Sequence, residues 1–329
     1  MTRELRATII GTGAAVPDKV LTNFDLEKMV DTSDEWIFTR TGIKERRIAD
    51  DGVAVSDLGA EAARKAMADA GVSADDVTLL ITATCTPDRI FPSSAASIQS
   101  KIGAFNAGAC DVEAACAGFL YGLNLSADHV SADPSRCALI IGSEVLSKFT
   151  NWKDRTSCIL FGDGAGAAIV RAADDGRGLL DMEMGADGNG GDMMQIPAGG
   201  SLMPTTPDTV KQDLHYMQIR GREVFRFATI KMADLVQNAV NRCGMTMDDV
   251  KLIIPHQVNL RILNYAAERL GVSMDKIYCN IDRYGNTSAA SVPIALNEAL
   301  ERGRIERGDI IVMVAFGAGL SWASCLMRW

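Results

Sequence analysis

Apolar and polar positions along the chain follow two periods, one suited to buried strands and one to amphipathic helices. Short apolar runs at 7–11, 77–83 and 137–141 read as buried strands. Helical spacing fills the intervals, over 56–70 with Gly71 as its stop, over 93–102, and through Phe119, Leu120, Leu123 and Val130. Gly162 to Val170 begins as a turn and runs into a further strand. Residues 20–52 are charged and irregular, and read as an excursion from the core rather than part of a sheet. The segment 310–327 is uncharged, but it opens on a β-branched run, is broken by Gly317 and Gly319, and carries Ser321 and Ser324. It reads as a buried strand pair, not a membrane span.

The pattern occurs twice. Gly71-Val-Ser-Ala-Asp-Asp-Val-Thr-Leu-Leu-Ile81 aligns without gaps on Gly244-Met-Thr-Met-Asp-Asp-Val-Lys-Leu-Ile-Ile254, with six of eleven positions identical. Later, Phe161-Gly-Asp-Gly-Ala-Gly resembles Phe316-Gly-Ala-Gly, each between apolar runs near the end of its half. Two matches in the same order imply a duplicated unit of alternating strands and helices ending in a strand pair. Such alternation predicts a mostly parallel sheet covered on both faces. A duplicated unit also predicts a pseudo-twofold that brings equivalent helix N-termini together.

Composition narrows the class. The chain has 329 residues, 47% of them apolar, and a formal charge of −9, which argues against a general nucleic-acid binder. Its eight cysteines lack CxxC pairs and regular spacing, so neither a disulfide framework nor a zinc site is predicted. Charges in Met1-Thr-Arg-Glu-Leu-Arg occupy the place where a signal peptide needs an apolar core. The expectation is a soluble, reduced, cytoplasmic protein. Gly11-Thr-Gly invites a dinucleotide reading, but the third glycine is missing and Pro17 spoils the helix start.

Candidate chemistry centres on Asp111-Val-Glu-Ala-Ala-Cys116-Ala-Gly-Phe119. Small residues crowd Cys116 between a strand and a helix, as an approachable thiol at a tight turn would require. A helix N-terminus there predicts a lowered thiol pKa. Taken singly, a cysteine is most often a small buried hydrophobe, a histidine structural, and an asparagine before a helix its cap. Here His256 directly follows a buried strand in Ile-Ile-Pro-His-Gln-Val-Asn, and Asn286 precedes the helix that is the counterpart of the one after Cys116. Cys, His and Asn at equivalent strand and helix ends form a plausible convergent set.

The stretches Ala-Ala-Cys-Ala-Gly-Phe, His-Gln-Val-Asn-Leu-Arg and Tyr-Gly-Asn-Thr-Ser-Ala-Ala-Ser closely resemble the β-ketoacyl-acyl carrier protein synthase III enzymes, over essentially the whole chain. The resemblance implies an α/β thiolase-like fold of two duplicated βαβαβαββ halves in an α-β-α-β-α core. Residues 1–174 would carry the nucleophile, and 175–329 the His and Asn. It implies condensation of a short acyl-CoA, acetyl-CoA favoured, with malonyl-acyl carrier protein, giving acetoacetyl-carrier, CoA and CO₂. Cys116 would hold the acyl group, while His256 and Asn286 donate to the enolate oxygen. The backbone N–H groups of Cys116 and Ala318, where many members have Gly, would bind the oxyanion. The same resemblance implies CoA contacts at Trp36, Arg40, Thr41, Arg155 and Asn259. It implies carrier docking at Arg261 with Arg226 and Arg269, and an acyl pocket at Phe91 and Phe161, Phe91 reaching across a homodimer interface. No metal, nucleotide or flavin is implied. The long 185–207 loop is expected near the pocket mouth. The alternative enzymatic reading is a related acyltransferase of secondary metabolism with another starter or acceptor. A non-catalytic scaffold would have lost one of the three residues, and a degradative thiolase would need a second catalytic Cys, for which Cys279 and Cys325 are unsuited.

Overall fold

The computed structural model describes residues 6–329. The chain begins with strand β1 (Arg6–Ala15) and then leaves the core for an excursion. That segment contains β2 (Val20–Thr22), the single-turn helix α1 (Asn23–Leu26), helix α2 (Asp34–Thr41) and β3 (Glu45–Arg47). It returns as α3 (Val55–Ala70), β4 (Leu79–Ala83), α4 (Ser94–Ile102), β5 (Gly108–Val112), α5 (Gly118–Ala132), β6 (Ala138–Glu144) and β7 (Gly164–Ala173). The second series opens with β8 (Gly178–Ala186), followed by β9 (Met194–Gln195), α6 (Pro207–Lys211), β10 (Gln218–Ile219) and the long α7 (Gly221–Arg242). It continues with β11 (Val250–Pro255), α8 (Leu260–Leu270), α9 (Ile281–Tyr284), α10 (Ser291–Glu301), β12 (Ile310–Gly317) and β13 (Ser321–Arg328).

The two main sheets have one topology. The first runs β1-β7-β6-β4-β5 and the second β8-β13-β12-β11, with an isolated parallel bridge from Ile253 to Ile277 at the place of β5. In each, the first strand pairs antiparallel with the last, the last antiparallel with its predecessor, and the remaining pairs are parallel. The aligned stretches 71–81 and 244–254 fall on equivalent ground, between α3 and β4 and between α7 and β11. Gly71 and Gly244 end their segments at φ +65° and +66°, a left-handed turn that glycine adopts without Cβ strain.

Helices α5 and α10 lie between the sheets. Their apolar positions form one core with inward residues of both, including Phe119, Leu120, Leu123, Val292, Leu296, Ile140, Val170, Ile254 and Met313. Each fully buried large side chain there contributes about 1.5–3 kcal/mol. Helices α3 and α4 cover the outer face of the first sheet, and α7 and α8 that of the second, giving an α-β-α-β-α stack.

Two expectations are corrected. The first strand extends through Gly11-Thr-Gly to Ala15 instead of ending at Gly11, because those glycines let it press against α3. A Cβ at Gly11 would stand 2.5 Å from Ala70 N, and one at Gly13 2.5 Å from Ala62 O. The Gly-x-Gly is a close strand–helix approach. The 20–52 excursion does contain sheet, β2 paired antiparallel with β3, though apart from the core sheets. Its buried Arg46 donates to Leu21 O, Asn23 Oδ1 and Ile159 O, tying the excursion to the loop before β7.

Candidate active site

β5 gives way to α5 through one 3₁₀ turn at 115–117, and Cys116 sits at its centre, 5% exposed. Ala115 takes φ +44°, a strained value for a residue with a Cβ. Its N–H donates to Glu113 Oε1 at 3.0 Å, and Ala117 N–H to Ala114 O at 3.1 Å. Gly317, at the end of β12, presses on the same turn. A Cβ there would lie 2.6 Å from Cys116 N. The Ser321 hydroxyl, 2.7 Å from Ala114 O and 3.0 Å from Ala318 O, bridges the Cys116 turn to the β12–β13 loop. Ala318 is not among the residues with positive φ, so its methyl costs no backbone strain.

A cavity of about 390 Å³ opens at Cys116. Ala318, Phe161, Leu146, Met217, Ile196 and Cys85 line it, and Gly191, Met194 and Gln195 bring the 185–207 loop to its wall as expected. The elements that carry His256 and Asn286 converge on it, although neither residue lines it. Phe161, the bridge partner of Asn286, does. Asn286 pairs by a bridge with Phe161, its N–H donating to Leu160 O and its C=O accepting from Gly162 N–H. The His256 ring packs edge-on against Phe316, centroids 5.9 Å apart, one residue before Gly317.

Local chemistry fixes both side chains. The Ser288 N–H donates to Asn286 Oδ1 at 2.9 Å, so the oxygen serves a local turn and the amide NH₂ is left as donor. His256 is held through its backbone, its N–H on Val314 O at 2.7 Å, and through Gln257. That buried amide accepts from Asn280 N–H and donates to Pro255 O and Tyr278 O. Burial pulls the His256 pKa down to about 3, keeping the ring neutral, with Nδ1 lacking a protein partner.

The thiol departs from expectation. Burial pushes Cys116 up to about 12, against the lowering effect of the Ser288 hydroxyl, and the Glu144 carboxyl adds to the rise. The helix end of α5 does not outweigh desolvation in the closed turn.

The remaining candidates sit apart from the cavity. Trp36, on α2, is half-buried and carries the exposed guanidinium groups of Arg40, 4.2 Å from its ring centroid, and of Arg155 at 5.3 Å, from the loop before β7. Thr41 is buried beside them, but its hydroxyl donates to Ile37 O and accepts from Ile43 N–H, which commits it to the end of α2. Asn259 caps α8 through Arg261 N–H and donates to Arg40 O, joining α8 to the excursion. Arg261 and Arg226 are exposed on α8 and α7. Arg269 is engaged by Asp234 at 2.9 Å. Phe91 does not line the cavity of its own chain. It projects 82% exposed beside Ile90, also 82% exposed.

Four side chains of the site drew no role from the sequence: Cys85, Glu144 and Ser288 near the thiol, and Gln257 beside His256. The polar run Thr84-Cys85-Thr86, immediately after an apolar strand, was the available signal. Among the described residues, no group of three or more His, Cys, Asp or Glu could hold a metal ion, and no helix is long and apolar enough to cross a membrane.

Comparison with known proteins adds an independent line. Residues 110–188 match the family model described as 3-oxoacyl-[acyl-carrier-protein (ACP)] synthase III, and residues 240–329 match the model for its C-terminal part. The chain is 53% identical over 329 residues to the beta-ketoacyl-[acyl-carrier-protein] synthase III of Caldanaerobacter subterraneus subsp. tengcongensis, covering 100% of this chain and 99% of the relative. It is 50% identical over 321 residues to that of Symbiobacterium thermophilum, covering 98% and 97%. Among solved structures, the 3-oxoacyl-[acyl-carrier-protein] synthase III of Aquifex aeolicus superposes with a TM-score of 0.90 at 42% identity, covering 98% of this chain and 100% of that one.

Proposed function

The chain belongs to the 3-oxoacyl-[acyl-carrier-protein] synthase III family, and from that membership we propose that Cys116, His256 and Asn286 carry its reaction. The activity is acyl transfer with decarboxylative condensation, the step that initiates fatty acid synthesis. In this reading Cys116 takes the acyl group from a short acyl-CoA, acetyl-CoA favoured, as a thioester. Malonyl-acyl carrier protein then enters and loses CO₂, and its enolate carbon attacks that thioester to give the 3-oxoacyl-carrier. The observation that carries the assignment is the placement of Cys116 in a largely apolar cavity, at the start of α5 and against Gly317 and Ala318. The N–H groups of Cys116 and Ala318 form the oxyanion hole in this reading, each typically contributing about 10²–10³ in rate.

His256 acts as a neutral hydrogen-bond donor, which its buried ring supports. Asn286 donates from the amide nitrogen that Ser288 leaves unengaged. Charge developing on the malonyl thioester oxygen is stabilised by both. The nucleophile belongs to residues 1–174 and the His–Asn pair to 175–329, so the site lies on the pseudo-twofold between the halves. No group beyond the two thioesters enters the scheme.

The Trp36–Arg40–Arg155 cluster is the CoA dock, with Thr41 and Asn259 as its structural support. Arg261, joined by Arg226, receives the acidic carrier, and Arg269 takes a lesser part because Asp234 holds it. The exposed Ile90–Phe91 pair would be covered by a second copy of the chain, a homodimer in which Phe91 closes the partner's acyl pocket beside Phe161. The cavity of one protomer exceeds an acetyl group, so the short-starter preference depends on that closure. The cytoplasm is the proposed compartment.

Intact-protein mass after mixing with acetyl-CoA tests the reading, wild type beside Cys116→Ser. A single acetyl adduct on the wild type alone supports it. An adduct only from longer or branched acyl-CoAs keeps the nucleophile and removes the acetyl assignment. No adduct from any acyl-CoA overturns the enzymatic role of Cys116.

A further inference from the structure

The cavity at Cys116 is walled largely by apolar side chains, among them Leu146, Phe161, Ile196 and Met217. Among the described residues of that wall, Glu113 alone carries a formal charge, and no lysine, arginine or histidine lines it. Glu113 is exposed, directly after β5 and three residues before the thiol. One hydrogen bond fixes where its charge sits. The Ala115 N–H donates to Glu113 Oε1 at 3.0 Å, which folds the carboxylate back onto the turn that presents Cys116. An amide oxygen would also accept from that N–H, so the turn explains the acceptor but not the charge. The other carboxyl of this region does not reach the cavity. Glu144 is fully buried behind Cys85, with Thr84 Oγ1, Thr86 Oγ1 and Cys85 Sγ on its oxygens, and it does not line the wall.

An apolar wall that carries one fixed negative charge discriminates by charge. A neutral acyl group meets only the apolar lining. An acyl group that ends in a carboxylate loses water there, which apolar surroundings penalise, and also approaches a like charge. Because Glu113 is exposed, solvent screens part of the repulsion and holds it to about tenfold in rate. The reaction proposed above uses two acyl groups, acetyl and malonyl, that differ by one carboxylate. Only the neutral one belongs on Cys116.

We propose that Glu113 is a specificity-determining residue, whose carboxylate disfavours the loading of anionic acyl groups, the ω-carboxyacyl thioesters of CoA, onto Cys116. The inference rests on Cys116 being the acyl acceptor. In loading, the acyl carbonyl carbon exchanges its bond to the CoA sulfur for one to Cys116 Sγ, and the thiol proton ends on the departing CoA thiol. Glu113 takes no part in that exchange. It governs which acyl chain is accepted, through the charge it holds at the wall.

The test compares butyryl-CoA with succinyl-CoA, acyl groups of equal chain length that differ by a terminal carboxylate. Succinyl is the anionic probe because a malonyl adduct can lose CO₂ and pass for acetyl. Loading is followed by rapid quench and intact-protein mass on wild type, Glu113→Gln and Glu113→Ala, with Cys116→Ser correcting for acylation elsewhere. Each rate is divided by the same protein's acetyl-CoA rate. Glu113→Gln keeps an oxygen for the Ala115 N–H and removes the charge, whereas Glu113→Ala removes both. The expected result is a succinyl ratio about tenfold higher in both variants, with the butyryl ratio within about twofold of wild type. Raising salt from about 20 mM to about 500 mM lifts the succinyl ratio of the wild type but not that of Glu113→Gln.

An unchanged succinyl ratio in Glu113→Gln overturns the proposal. So does an equal rise for butyryl, which marks a gain of room rather than a loss of charge. A shift in Glu113→Ala alone assigns the effect to the Ala115 turn and overturns it as well. Absence of any adduct on the wild type, from acetyl-CoA and butyryl-CoA alike, removes the underlying reading itself.

Discussion

The backbone N–H of Ser288 donates to Asn286 Oδ1 at 2.9 Å, which fixes the orientation of the Asn286 amide. Asn286→Asp keeps this turn bond but replaces the donor with a second acceptor, aimed where negative charge develops. Condensation is expected to fall by about 10²–10³ or more, while the acyl adduct on Cys116 still forms. Steady-state condensation measured beside intact mass checks the split, and equal losses in both would count against the donor role.

Gly317 and Ala318 are adjacent but answer to different constraints. Gly317→Ala sets a Cβ 2.6 Å from Cys116 N and 3.0 Å from Ala115 Cβ, against the backbone of the Cys116 turn. The variant should lose about 1–3 kcal/mol of stability and most of its acylation rate. Ala318→Gly, at a position without positive φ, should cost under about 1 kcal/mol and keep its acylation rate. Denaturant melts and adduct formation on both variants decide the matter.

His256 makes the fold acid-sensitive. The unfolded ring takes a proton near 6.5, whereas the buried ring resists protonation until about 3. Between those values the unfolded state binds the extra proton, so this residue's contribution to stability is lost as pH falls, by about 1.4 kcal/mol per pH unit. Denaturation of wild type and His256→Gln at pH 7 and pH 5 should show the wild type losing more. Equal losses would falsify the assignment.

The proposed carrier dock should respond unequally when its arginines lose their charge. Arg261→Glu is expected to lower kcat/KM for malonyl-carrier about tenfold or more at low salt, less at high salt, leaving acylation by acetyl-CoA intact. Arg269→Ala should change little, because Asp234 already offsets its charge. A salt titration of carrier kinetics distinguishes them.

Much of this was legible in the residues themselves. Gly71 and Gly244 announced the duplication because equivalent helix stops need equivalent left-handed residues, and the strand pair at 310–327 declared itself by an uncharged run broken at Gly317 and Gly319. Cys116, His256 and Asn286 stood out because each follows or precedes a core element. Glu144 did not, since at the end of an apolar strand it reads as the polar start of a loop. Only the fold brings Thr84, Cys85, Thr86 and Ser288 around it. The rise of the Cys116 pKa lies beyond the sequence for a related reason. Sequence shows the helix that favours thiolate, whereas burial by Gly317 and its neighbours comes from the other half of the chain. The Thr41 hydroxyl, committed to Ile37 O and Ile43 N–H, shows that a motif position can serve its own helix end.

The bridge from Ser321 to Ala114 joins residues 207 positions apart in the chain. During synthesis the Cys116 turn therefore emerges long before the strands that confine it, and the thiol spends that interval outside its finished surroundings. The enzyme cannot become competent domain by domain. β12 and β13 confine the Cys116 turn, so a nascent chain halted before β13 would carry the cysteine without the Ser321 bridge that holds its turn. Activity therefore waits on the synthesis of β13.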